Sequence, residues 1–180
     1  MIGLPLRPLV EATDAAIALL HLRPSIEDVG EALLEQIAQA VRCDWGAYWA
    51  LDPQSRRLQA IATWSALGEE GERFEQDTRV RTLAPHAGNA WHVWRTRRPI
   101  WATDLMLEMC LPRSLDASRA GLRGGVWFGV QTDTAVYGII ELLARVMPPK
   151  RYETLVAFER TGIRLGFALE ELRAASSRIH

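Results

Sequence analysis

The chain is short of lysine, cysteine and net charge, and each shortage closes off a class of function. The only lysine is Lys150, so Schiff-base chemistry has a single remote nucleophile. The two cysteines, Cys43 and Cys110, are too few for a disulfide framework. Neither has a nearby His or Cys partner, so the four closely spaced ligands of a structural zinc site are missing. The formal net charge is -1 with no long basic run, which denies nucleic acid an electrostatic footprint. No stretch approaches the roughly 20 apolar residues of a membrane span. The segment Met1 to Leu9 is weakly charged and broken by Pro5 and Pro8, unlike a signal peptide, and the expected compartment is cytoplasmic. Neither a Ser-His-Asp signature, nor a close carboxylate pair in a motif, nor a phosphate loop occurs. The sequence supports no catalytic residue and no metal site.

What is present suits one domain. The 180 residues are 48% hydrophobic and 24% charged, enough apolar material for a single packed core. Residues 1–24 read as a helical lead-in, with Val10, Ala16, Ile17, Leu19 and Leu20 placed for a short helix from Leu9 to Leu22. Ser25 reads as an N-cap with Glu27 and Asp28 in the first turn. Val29, Leu33, Ile37, Ala40 and Val41 carry that helix to about Arg42. The period then changes to two. Trp45, Ala47, Trp49 and Leu51 alternate with Gly46, Tyr48 and Ala50, as in a strand that is apolar on both faces. A turn at Asp52 to Ser55 leads into a second strand, Leu58 to Trp64.

Gly68 to Asp77 is polar, a short surface helix or loop. Gly88 to Arg97 is helical in spacing, with Trp91, Val93 and Trp94 as its bulky face. Pro99 to Ala102 reads as a short strand and Asp104 to Ala120 as irregular. Leu122 to Thr132 and Ala135 to Ala144 form a second hairpin around Asp133. After Pro148-Pro149 a long helix runs from about Arg151 to Ala174, followed by a tail, 175–180. One stripe of that helix (Leu155, Phe158, Gly162, Leu165, Leu169, Leu172) can cover a sheet. A second (Val156, Ile163, Phe167) calls for another cover, the same helix of a second subunit. Hairpins with helices grouped at the ends predict an α+β fold around a central antiparallel sheet. Its other face would be roofed by the connections between Trp64 and Leu122, where a ligand cavity forms.

In this order the motifs resemble those of GAF domains of bacterial signalling proteins, in the subgroup found with PAS, histidine-kinase or diguanylate-cyclase modules. The residues that carry the likeness are Gly88 to Trp94, Pro99-Ile100-Trp101-Ala102-Thr103-Asp104, Pro112-Arg113, Ala120-Gly121-Leu122-Arg123-Gly124 and Gly138-Ile139-Ile140-Glu141. They span the expected domain, 25–174. Asn89-Ala90-Trp91 departs from the family pattern, with Trp91 where relatives carry a glycine. The resemblance implies about six antiparallel strands, a ligand-sized pocket and a homodimer through the N- and C-terminal helices. It also implies a sensory role, in which a small molecule biases the terminal helices of a two-component or related protein. The output kinase or cyclase domain would belong to the same parent protein. The alternative is a ligand-free dimerisation module in which Trp91 plugs the pocket.

The expected ligand-binding residues are Trp64, Trp91, Trp94, Trp101, Asp104, Cys110, Arg113, Arg119 and Trp127, with the cofactor unknown. The seven tryptophans offer core packing and, at some positions, a flat apolar wall. Cys110 lies in the segment where some relatives attach a bilin or place the cysteine of a free methionine sulfoxide reductase. It is followed by Leu111 instead of His, and the loop from Pro85 to His92 holds no second thiol for the reductase. Arg113, Arg119 and Arg123 could meet a phosphate, but pairing with Asp104, Asp116 and Glu108 is the expected outcome. His86 and His92 could ligate haem; solvent exposure is the expected outcome.

Overall fold

Two hairpins and two short edge strands build one sheet. The computed structural model describes residues 6–23, 25–107 and 113–177. Its elements run α1 (Leu6–Leu22), α2 (Ile26–Ala40), β1 (Trp45–Asp52), β2 (Arg57–Ser65), α3 (Glu69–Val80), β3 (Thr82–Leu83), α4 (Gly88–Thr96) and β4 (Ile100–Ala102). They continue with α5 (Ser114–Arg119), β5 (Gly124–Gln131), β6 (Val136–Ala144) and α6 (Tyr152–Ser176). The six strands lie in the order β3-β2-β1-β6-β5-β4, every neighbouring pair antiparallel. The β1–β2 turn is held by Asp52, whose carboxylate accepts from the backbone N–H of Gln54 and of Ser55, each at 3.1 Å.

The alternation along β1 divides two cores. Trp45, Ala47 and Trp49 join the apolar cluster under α3, α4 and α5, while Tyr48 joins the cluster under the terminal helices. Both faces are covered, which is why β1 and β5 carry almost no polar residue. On the terminal-helix side α2 packs on β2 and β1, α6 packs on β5, and α1 lies against both α2 and α6. Leu9, Ala16 and Leu20 of α1 belong to this same core. Between α1 and α6, the Thr13 and Thr161 hydroxyls meet at 3.1 Å. The helix α6 sits close on its strand because it has no side chain at two contact points. A Cβ on Gly162 would collide with the Gly129 carbonyl oxygen, and one on Gly166 with that of Gln131.

The other face carries the roof, with α3 against β2, and α4 against β5 and β6. Here the structure extends the sequence reading. The polar stretch from Gly68 is a full helix that runs on to Val80, with Phe74 and Thr78 buried on its inner side. Within the stretch expected to be irregular, Ser114–Arg119 forms α5, with Ala117 buried. Ser25 occupies the N-cap position of α2 with extended backbone, but its hydroxyl makes no bond to the helix. It donates instead to Glu27 Oε2 at 2.8 Å, so the acidic side chain two residues on has captured the capping group.

Candidate functional site

A lone carboxylate stands in the middle of the apolar sheet. Glu141 lies on β6 with Ala47 of β1 as its partner on one side and Trp127 of β5 on the other. It is 6% exposed. The indole N–H of Trp49 donates to Glu141 Oε2 at 2.6 Å. The Arg113 guanidinium donates through Nη1 to the same oxygen at 3.0 Å and through Nη2 to Thr78 Oγ1 at 2.6 Å. Thr78 Oγ1 in turn donates to the carbonyl oxygen of Phe74 at 2.7 Å.

Three rings close around the cation. The guanidinium carbon of Arg113 lies 4.5 Å from the centroid of Phe74, 5.1 Å from Trp49 and 5.2 Å from Trp45. Trp45 and Phe74 also meet edge to face at 4.9 Å. Arg113 is 7% exposed. Burial draws its pKa below the ordinary guanidinium value, and the neighbouring Glu141 charge opposes that shift. Charge, hydrogen bonds and ring faces together offset a desolvation cost of several kcal/mol per ion, which is the size expected for such a pair.

Beside this cluster is a cavity of about 30 Å³, lined by Asn89, Ala90, Leu105, Ala117, Trp127 and Leu143 together with Phe74, Arg113 and Glu141. That volume admits a water or two; small-molecule sites measure roughly 300–1,000 Å³. The side-chain amide of Asn89, 8% exposed, directs a buried Nδ2 that has no hydrogen-bond partner, and the same holds for Trp45 Nε1. Buried donors left unpaired are uncommon and cost about 1–3 kcal/mol each.

The residues expected at the site divide between several places. Arg113 and Trp127 line the cavity. Trp64 and Trp101 lie in the core on the opposite face, under the terminal helices. Strand alternation sends them there: the Trp101 ring lies tilted against Phe158, centroids 6.2 Å apart, and donates its N–H to Pro148 O at 3.1 Å. Trp91 and Trp94 line an outer groove with His86 and Arg95, and the Trp91 N–H is used by Leu83 O at 2.9 Å. Trp91 is therefore not part of the inner cavity's wall, whereas Arg113 is. The Asp104 carboxylate closes a local turn by accepting from the Met106 N–H at 2.9 Å. Arg119 is largely exposed, paired with Asp116 at 3.6 Å. Arg113 takes Glu141 as its partner, instead of the acids named from sequence. Cys110 lies outside the described residues. His86 and His92 are both exposed. The groups that sequence reasoning passed over are Trp45, Trp49, Phe74, Thr78 and Asn89, with Glu141 noted only as part of a motif. The available signal was Glu141 itself, a single acid inside the apolar run from Tyr137 to Ala144 of a strand covered on both faces.

Among the described residues there is no group of three or more His, Cys, Asp or Glu placed to hold a metal ion. No helix among them is long and apolar enough to cross a membrane. Cys43 is buried beneath the terminal helices, where desolvation, with a contribution from Asp44, pushes its thiol pKa up.

No family model matches the chain, and no curated protein matches its sequence. Solved structures do match its fold. The GAF domain of a phosphoenolpyruvate-protein phosphotransferase from Coxiella burnetii superposes with a TM-score of 0.74 at 13% identity, covering 96% of this chain and 98% of that one. The free methionine-R-sulfoxide reductase of Neisseria meningitidis, in complex with its substrate, gives 0.74 at 10% identity, covering 97% and 96%. The blue-light absorbing form of the Thermosynechococcus elongatus PixJ GAF domain gives 0.65 at 18%, covering 89% and 94%. GAF domains of larger proteins and a reductase thus share this architecture. The six-stranded antiparallel sheet, with terminal helices on one face and a roof on the other, is the fold of a GAF domain.

Proposed function

We propose that the chain is a sensory domain of a bacterial cytoplasmic signalling protein, which binds a small molecule between the sheet and the α3–α5 roof. The observation that carries this reading is the polar cluster of Arg113, Glu141, Thr78 and Asn89 inside an otherwise apolar interface. A fold that needed only stability would do as well with apolar residues there. Asn89, which lines the cavity, and Trp45, whose ring lies by the Arg113 guanidinium, each hold a buried donor without a partner.

The route outward is short. Glu141 lies on β6, β6 pairs with β5, and α6 seats on β5 through Gly162 and Gly166. A ligand that changes the pose of Glu141 would bias α6 by its differential affinity for two poses. From α1 and α6 the bias would pass to an output domain, a kinase or cyclase. The exposed Val10, Tyr152 and Phe167 flank the α1–α6 surface and would be shared with a second copy of the chain. Native mass spectrometry of the protein as purified, beside a thermal-shift panel of small metabolites, tests the reading. A retained mass, or a saturable rise in melting temperature that Glu141→Gln removes, supports it. A clean chain mass and no shift with any compound favours the second reading, a ligand-free dimerisation module. The observation behind that second reading is the small volume of the cavity beside Arg113.

A further inference from the structure

This inference rests on the small-molecule reading above and names the chemistry that the site would accept. The groups around the guanidinium belong to fixed elements: Trp45 and Trp49 to β1, Glu141 to β6, Phe74 and Thr78 to α3. The cation itself comes from elsewhere. Arg113 is the N-cap residue of α5, a helix of six residues, and its side chain makes no capping bond. A receptor is thus built on the sheet and α3, and one loop residue sits in it.

The receptor specifies its guest. Three ring faces attract a cation. The Glu141 carboxylate, held by the Trp49 N–H, is buried and needs a positive partner. Thr78 Oγ1 has given its proton to Phe74 O, so towards the guest it can only accept. An accepting oxygen asks for an N–H, which a quaternary ammonium lacks. Asn89, on the cavity wall, and Trp45, whose ring centroid lies 5.2 Å from the guanidinium carbon, each hold a buried N–H without an acceptor. No oxygen of the described residues answers them.

We propose that the site recognises a small molecule with a guanidinium or primary ammonium head and a carbonyl or carboxylate oxygen a short distance away. Arg113 is the chain's own placeholder for that head and leaves when the ligand enters. Because the placeholder is tethered, it competes at high effective concentration, and the ligand's apparent affinity falls by the fraction of molecules that are open. Removing Arg113 therefore strengthens binding. If Arg113 were instead an anion-binding group, its removal would weaken binding.

The sign of that change is the test. Calorimetric titration would compare agmatine, L-arginine, choline and acetate on the wild-type chain, on Arg113→Ala and on Arg113→Ala with Glu141→Gln. The expected result is that agmatine or L-arginine binds Arg113→Ala about tenfold or more tighter than wild type. Choline should not bind, and the added Glu141→Gln should abolish the gain. Cation binding that is no tighter in Arg113→Ala overturns the proposal. Acetate binding that is lost in Arg113→Ala also overturns it, while leaving the small-molecule reading in place. That broader reading falls only if the wider metabolite panel is silent as well. Should Arg113→Ala not fold alone, refolding with agmatine or with choline replaces the titration. Recovery of native tryptophan fluorescence with agmatine alone supports the placeholder, and no recovery with either overturns it.

Discussion

Trp49 and Glu141 are 92 residues apart in sequence, and they meet on adjacent strands with the indole N–H 2.6 Å from the carboxylate. The bond gives the carboxylate an anchor on β1 besides the one that Arg113 supplies. Trp49→Phe keeps a ring over the guanidinium and removes that donor. A hydrogen bond to a charged group is worth about 1.5–3 kcal/mol, so the variant should lose stability in that range. Urea denaturation should show a lower midpoint with an unchanged slope. An unchanged midpoint would mean that the indole N–H does not hold Glu141.

Arg113 and Glu141 should behave as one unit. Removing either partner leaves a buried charge alone, at a cost of about 3–5 kcal/mol. Removing both leaves none. Arg113→Met and Glu141→Leu should therefore each be strongly destabilising. The double variant should be more stable than the sum of the two losses by well over 1 kcal/mol. Additive losses in a denaturation cycle would show that the two charges do not depend on each other.

The buried thiol gives a pH prediction. Cys43 has its pKa raised in the folded chain, chiefly by desolvation and secondarily by Asp44. For an acid held neutral by folding, the unfolded state releases its proton first. The stability contribution is fully present below the ordinary thiol pKa, about 8.5. It is lost progressively as pH rises from there towards the raised value. In a Cys110→Ser background, Cys43 should resist an aromatic disulfide reagent at pH 8 and react only at the rate of unfolding. Rapid stoichiometric labelling of the native protein would contradict its burial.

How far the sequence reaches can be judged from particular residues. The strands were legible because Trp45 to Leu51 switches the apolar period to two and Ala135 to Ala144 is an apolar, β-rich run after a polar turn at Asp133. The terminal helix was legible because its stripes step by three and four. Which face a strand residue takes depends on register. Trp64 and Trp101 therefore went to the terminal-helix core, although nothing in their local pattern separates them from Trp127. The site was only half legible. Arg113 carried a motif signal, but its partners Thr78 and Glu141 are 35 and 28 residues away. Helix α3 hid its share because its composition is strongly polar and only Gly71, Phe74 and Thr78 turn inward. A three-residue inner face is too brief to stand out against exposed Glu and Arg. Asn89 read as a departure from a motif, whereas in the fold it lines the cavity and holds a buried donor without a partner.

The last prediction concerns the link between sheet and terminal helix. Gly162 and Gly166 face the carbonyl oxygens of Gly129 and Gln131, backbone atoms that have no rotamer with which to move aside. A methyl group at either position must therefore lift α6 from β5. Overpacking of this kind costs about 1–3 kcal/mol, occasionally more, although alanine is the better helix former by about 0.8–1 kcal/mol. Steric cost should outweigh propensity, so Gly162→Ala should lower the melting temperature. An exposed position on the same helix provides the control: Arg164→Ala should have little effect, since the Asp14 pair it breaks is solvent-exposed. Glu141 connects to α6 mainly across β5, with a smaller direct contact between α6 and β6 where the Tyr137 hydroxyl donates to Glu170 Oε1 at 2.9 Å. In Gly162→Ala, any ligand that stabilises the wild-type chain should therefore still bind the sheet, and its effect on α6 should fall. Hydrogen exchange along α6, with and without that ligand, measures this directly. Unaltered ligand-dependent protection of α6 in Gly162→Ala would mean that the signal leaves the site by another path.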